Sequence, residues 1–154
     1  MKTAESPQLI NAMRTLQTAL EAHDTAISAA KGIGRSDWAC LKLLVQTGAQ
    51  SPGAIQKALG LTSGSVTALL DRLEKRTLIA RCADPSDRRA LRIEPRQEGA
   101  RLVREAAMPL DHLAKRLEER WGQDRCHMAG QACRDLAKLV DWASCKADDQ
   151  APSP

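Results

Sequence analysis

S-P-G-A-I-Q-K-A-L-G-L-T-S-G-S-V-T-A-L-L-D-R-L-E-K-R-T-L-I-A-R-C-A-D-P-S-D-R-R-A-L-R, residues 51–92, reads as two short helices followed by a basic hairpin. Ser51 offers a side-chain oxygen to the free N–H groups of a first turn, and Pro52 stands where its missing N–H costs nothing. Ile55, Ala58 and Leu59 then make one narrow apolar stripe, and Gly60 stops the helix. Leu61 links it to a second helix that Thr62 caps, in which Val66, Leu69, Leu70 and Leu73 recur at i, i+3, i+4 and i+7. From Leu78 the period drops to two: Leu78, Ala80 and Cys82 alternate with Ile79, Arg81 and Ala83, and later Leu91 and Ile93 with Arg92 and Glu94. Asp84-Pro85-Ser86-Asp87 is turn chemistry between the two strands. A helix-turn-helix followed by a hairpin with Arg88 and Arg89 near its tip is a winged helix.

The run Leu73-Glu74-Lys75-Arg76-Thr77-Leu78-Ile79, with Asp87-Arg88-Arg89 eight residues on and a further helix over Gly99, resembles the signature of the MarR family of transcriptional regulators. The likeness extends from about Ser6 to Val140, and its specific part is Leu59 to Gly99. Three positions depart from the pattern: Ala68 stands where the family often carries Arg, Thr77 where it usually has Gly, and Arg96 where a Ser or Thr usually caps the next helix. The resemblance implies a mainly α fold, a winged helix-turn-helix with a two-stranded wing. It also implies that long N- and C-terminal helices interlock two copies into a homodimer, with Asp87 stabilising the wing by pairing with an arginine. Partners would be double-stranded DNA, the second copy and a small-molecule effector, often an anionic aromatic compound in such proteins.

Outside this stretch the chain is helical in pattern. Leu9, Met13, Leu16, Leu20, His23 and Ile27 follow Ser6-Pro7 at steps of four and three, a seam that asks for a partner helix. After the break at Gly32-Ile33-Gly34, Ser36 is the expected cap of a strongly apolar helix that begins near Trp38 and ends at Gly48. Residues 97–121 read as one long helix with Pro109 inside it, so a kink is expected near Ala106 to Pro109. A last helix runs from Asp124 to about Ser144. The expected organisation is a dimerisation helix (1–35), a DNA-binding lobe (36–95), C-terminal dimerisation helices (96–145) and a polar, disordered tail (146–154).

Composition agrees with this layout. The chain has no Phe or Tyr and three Trp, so its core must be filled by aliphatic side chains, which suits close-packed helices. Of the net charge of +4, residues 51–94 hold the excess, with eight basic against five acidic groups; residues 95–154 carry ten of each. No stretch approaches the roughly 20 apolar residues of a membrane span, and no signal-peptide pattern opens the chain, so a cytoplasmic protein is expected. Five scattered cysteines are no disulfide framework.

The exposed face of the second helix offers Ser63, Gly64, Ser65, Thr67 and Ala68 in the half that would reach base edges, without Arg, Asn or Gln for bidentate reading. Arg72, Lys75, Arg88 and Arg89 are the expected phosphate or minor-groove contacts. His23, Arg35 and Trp38 are candidates for an effector pocket by placement; a core-edge histidine and a core tryptophan are the plain alternatives. His112, Cys126 and His127 do not make a metal site, no enzyme constellation is present, and no cofactor is expected. The function expected is a ligand-responsive repressor acting as a homodimer on a pseudo-palindromic operator. The rivals are a winged-helix protein-interaction module and a thiol-based redox sensor using Cys82 in the wing, with Cys40 as inert filler.

Overall fold

The computed structural model describes residues 7–84 and 90–149, with side chains described through residue 139. The elements are α1 (Pro7–Ala30), α2 (Arg35–Thr47), α3 (Pro52–Leu59), α4 (Ser63–Lys75), β1 (Ile79–Ala83), β2 (Leu91–Pro95), α5 (Gln97–Trp121) and α6 (Gln123–Asp149). Two compact units divide after Ala106, within α5.

The core of the first unit lies where the periodic stripes placed it. Val66, Leu69, Leu70 and Leu73 of α4 are each at most 2% exposed, and Leu41, Leu44, Ile55, Ile79 and Ile93 are fully buried around them. A buried side chain of this size stabilises by about 1.5–3 kcal/mol, so a core of such groups holds together short helices that could not stand alone. Ser51 Oγ accepts from the Ala54 N–H at 3.2 Å and Thr62 Oγ1 from the Ser65 N–H at 3.3 Å, the two expected caps. The hairpin is antiparallel, pairing Ile79 with Pro95 and Ala83 with Leu91. Gln50, just ahead of α3, also exchanges backbone hydrogen bonds with Ile93, at 3.0 and 2.8 Å, so β2 is held on both edges at that residue.

Three helices end alike. After α1 the Ile33 N–H reaches the Ser28 carbonyl, after α3 the Leu61 N–H reaches Gln56, and after α4 the Leu78 N–H reaches Leu73. Each closure requires a left-handed residue. Gly32 (φ +59°) and Gly60 (φ +61°) supply it in the first two, and Thr77 (φ +58°) in the third. The departure at Thr77 therefore keeps the backbone geometry and places a β-branched residue where it is strained. Gly99 answers a different constraint: a Cβ there would sit 2.3 Å from the Leu78 carbonyl oxygen and 2.9 Å from Leu41 Cδ1. It lets α5 lie against the residues leading into β1.

Two expectations are corrected. The N-cap of α2 is Gly34, extended at φ −62° and ψ 151° with no side-chain bond, and Ser36 already lies inside the helix. The last helix continues to Asp149, past Ser144, because Cys145-Lys146-Ala147-Asp148-Asp149 contains no breaker and the next proline is Pro152; residues 146–149 are thus helical rather than part of a disordered tail. Arg96 occupies the position before α5, its N–H donating to the Leu78 carbonyl at 2.9 Å. The helix then runs unbroken through Pro109.

The second unit is the latter part of α5 and α6, joined at Gly122. No side chain described in it is buried; Leu110, Leu113, Trp121, Met128 and Leu139 are 41–69% exposed.

Candidate nucleic-acid interface

The helix-turn-helix presents α4 with its inner stripe sealed and its outer face open. Ser63, Gly64, Ser65, Thr67, Ala68, Arg72 and Lys75 are all exposed, as the 100° periodicity requires. The N-terminal half of this face is hydroxyl-rich and free of carboxylates. Its hydroxyls are also ordered by their own helix: Thr62 Oγ1 and Ser65 Oγ lie 2.9 Å apart, and Thr67 Oγ1 donates to the Ser63 carbonyl at 3.1 Å. The positive end of the helix dipole adds to the field at the same place.

The acids of α2 and α4, Asp37, Asp71 and Glu74, are turned into internal clamps. Asp71 and Glu74 of α4 both accept from Arg81 of β1, at 2.6 and 2.8 Å, tying the helix to the wing strand. Asp37 of α2, only 7% exposed, accepts from Arg72 Nε at 2.9 Å and Nη2 at 2.6 Å, and this pairing raises the guanidinium pKa above its ordinary value. Arg76 donates to the Gly32 and Lys31 carbonyls at 2.5 and 3.1 Å, capping the end of α1. Lys75 and Arg35, among the described residues, have no carboxylate partner. These pairings join residues up to 45 apart in sequence, and no periodic pattern announces them. Arg88, Arg89 and Asp87 lie outside the described residues.

A cleft of about 270 Å³ opens beside the lobe, lined by Glu21 and Asp24 of α1, Arg35, Ser36, Trp38, Ala39 and Lys42 of α2, and Leu59 and Leu61. Of the three candidates for a ligand pocket it contains Arg35 and Trp38; half-buried His23 is not part of its lining. Asp24, which the sequence did not single out, is the polar centre of the cleft. It accepts from Trp38 Nε1 at 3.2 Å and from Lys42 Nζ. Partial burial acts to raise its pKa, but the hydrogen bonds from Lys42 and Trp38 and the nearby charges outweigh this and hold the carboxyl below its ordinary value. The only advance sign of Asp24 is its place beside the apolar seam, a position common to many surface acids.

Burial, with the Asp37 charge adding to it, pushes the Cys40 thiol up to about 12, the chemistry of inert packing. Cys82 is half-buried in β1. Among the described residues no cluster of His, Cys, Asp or Glu fits a metal ion, and no helix is long and apolar enough to cross a membrane.

A buried α3–turn–α4 core, an open helix face whose N-terminal half is free of carboxylates and a two-stranded hairpin define a winged helix-turn-helix protein. Residues 33–91 match the MarR family. Over 101 residues the chain is 35% identical to YcgE, an HTH-type transcriptional regulator of Bacillus subtilis, a match spanning 66% of each chain. A MarR family protein from Bacillus stearothermophilus has the same fold, with a TM-score of 0.75 and 22% identity over 92% of this chain and 99% of that one. So does NadR in complex with 4-hydroxyphenylacetate, with a TM-score of 0.60 and 24% identity over 90% and 95% of the two chains. The chain belongs to the MarR family of transcriptional regulators.

Proposed function

We propose that the protein is a sequence-specific DNA-binding repressor that acts as a homodimer on a pseudo-palindromic operator and releases it in response to a small molecule. One observation carries the reading: the outer face of α4 is open, its N-terminal half, residues 63–68, contains no carboxylate, and the acids further along, Asp71 and Glu74, are paired with Arg81. Ser63, Gly64, Ser65, Thr67 and Ala68 meet base edges in the major groove, with hydroxyl bonds and small apolar contacts in place of bidentate reading. Lys75 meets phosphate, and Arg88 and Arg89 contact phosphate or the minor groove from the wing, with Asp87 shaping the turn. The exposed leucines of α1, α5 and α6 are the faces two copies would cover, setting half-sites about one helical turn apart, ~10 bp. The cleft at Trp38 and Arg35 is the site for the effector. That NadR is a fold relative seen with 4-hydroxyphenylacetate supports an aromatic acid as the first class to try.

A titration of the purified protein against the intergenic DNA upstream of its own gene, with an unrelated duplex as control, at two salt concentrations tests this. The expected result is tighter binding to the upstream duplex, an affinity that falls steeply with salt, and weakened binding in the Arg88→Ala, Arg89→Ala double variant. Salt-independent binding, or none to either duplex, would turn the assignment toward a protein-interaction module.

A further inference from the structure

Arg72 stands on the exposed face of α4 and looks, from sequence, like one more phosphate contact. Its bonding argues for another role. The edge of the guanidinium formed by Nε and Nη2, the one that grips an anion side-on, is occupied by both oxygens of Asp37 at 2.9 and 2.6 Å. Asp37 belongs to the first turn of α2 and is 7% exposed, while the Arg72 side chain is 56% exposed. The fixed partner is therefore the carboxylate, and the arginine is the arm that reaches to it. A cation neutralised this closely adds little to the field at a phosphate and releases no counterion of its own. Its two parallel bonds instead restrict how α4 rotates and slides against α2. Apolar side chains of the two helices, such as Leu41, Leu69 and Leu73, share the same core cluster, and packing of this kind resists separation but defines an angle weakly.

We propose that Arg72 and Asp37 are positioning residues for DNA recognition: the pair sets the orientation of α4, and Arg72 acts on DNA through Asp37 rather than by touching the phosphate backbone. This rests on the reading of α4 as the recognition helix. It assigns a DNA role to Asp37, a buried acid that a charge argument would set against nucleic acid.

The two roles for Arg72 part on conservative variants. Asp37→Asn keeps shape but offers one acceptor where two are needed, and Arg72→Lys keeps charge but loses the fork. Both variants, an Arg72→Gln variant and the Asp37→Asn, Arg72→Gln double variant are titrated with the same duplex at several salt concentrations, well below each protein's melting midpoint. Backbone hydrogen exchange of residues 63–75 is measured without DNA. Positioning predicts about tenfold weaker binding for each single variant, no further loss in the double variant, an unchanged slope against salt, and faster exchange confined to α4. The idea is overturned if Asp37→Asn and Arg72→Lys bind as tightly as the parent while Arg72→Gln is weaker with a slope shallower by about 0.9, the mark of a lost phosphate contact. It is equally overturned if the variants only melt earlier, with affinity and exchange unchanged below the transition. Failure of the parent protein to bind any duplex would refute the DNA reading instead, and with it the proposal, whatever the exchange data.

Discussion

The winged lobe and the terminal helices spend their apolar residues in opposite ways. Every residue of the α4 stripe is within 2% of complete burial in a single copy, whereas no described side chain beyond Ala106 is buried at all. Both regions have the periodicity of amphipathic helices, so the pattern alone does not separate them. The difference lies in what each stripe meets. Two short helices, α2 and α3, and a hairpin surround the α4 stripe, while the stripes of α5 and α6 remain half open, with Leu110 and Leu113 at 41% and 50% exposure and Met128 at 69%. One region completes itself; the other has apolar surface of the kind that a second copy covers.

The strongest way to break this contrast is to charge the open face. A Leu110→Glu, Leu113→Glu variant is expected to sediment near the single-chain mass of 16.8 kDa, where the parent sediments at about twice that. Its operator affinity should fall on the order of 100-fold or more as two linked contacts become one. The lobe's near-ultraviolet spectrum should not change, because neither leucine belongs to its core. A parent protein already monomeric at micromolar concentration would remove the homodimer from the proposal and leave the open faces unexplained.

Gly99 probes the closed region in the opposite direction. Adding one methyl there brings it to 2.3 Å from the Leu78 carbonyl oxygen, a backbone atom that also accepts from the Arg96 N–H and cannot retreat freely. Gly99→Ala should therefore destabilise by about 1–3 kcal/mol, read as a lower denaturant midpoint with unchanged slope. The gain in helix propensity from Gly to Ala, up to about 1 kcal/mol, opposes this and makes a neutral result the informative failure.

The closed region is also the one that the sequence describes well. Ser51 and Thr62 are caps satisfied within three residues, and the α4 stripe is a periodicity read within two turns of one helix; the structure has all of them. Ser36 misled because a hydroxyl before an apolar run marks a cap only when the backbone turns there, and the turn is made at Gly34. The Gln50–Ile93 pairing is one residue long, too short for any alternation. The clamps are legible only in three dimensions. Arg72 and Arg81 look alike on a helical or strand projection, yet one holds α2 and the other holds α4. Charge near a DNA-binding motif identifies cations in number, and their partners across 35 residues of chain decide which remain available to phosphate.

Thr77 makes a smaller change within the closed region. It adopts φ +58° at the end of α4, where the equivalent positions after α1 and α3 are Gly32 and Gly60. A left-handed L-residue costs about 1–2 kcal/mol, more for a β-branched one, and glycine returns part of this as extra freedom of the unfolded chain. Thr77→Gly should thus raise stability by roughly 1 kcal/mol, measured as a higher melting temperature. A loss would mean that the Thr77 hydroxyl, which lies 2.7 Å from the Arg76 carbonyl, contributes more than the strain removes.

The smallest effect concerns how α1 is attached to the closed region. Only Ser28 of α1 is buried; Ile27 packs partly buried against the core, and the helix is further tied by polar links: Asp24 to Trp38 and Lys42, Lys31 to Glu105 at 3.2 Å, and the Arg76 cap on the Lys31 and Gly32 carbonyls. Asp24 has a pKa below its ordinary 3.8 in the folded chain, so its link contributes fully above the unfolded value and is lost as pH falls through the lowered folded value. The carboxylate is partly exposed, and solvent screening keeps the contribution under about 1 kcal/mol. Protection along α1, taken relative to the intrinsic exchange rate at each pH, should therefore fall below pH 4 while the α4 stripe stays protected. An Asp24→Asn variant should be less protected in α1 at neutral pH, with little further change in protection on acidification. If α1 and α4 instead lose protection together, the helix is bound to the lobe as one cooperative unit, and the boundary between open and closed regions lies beyond α1.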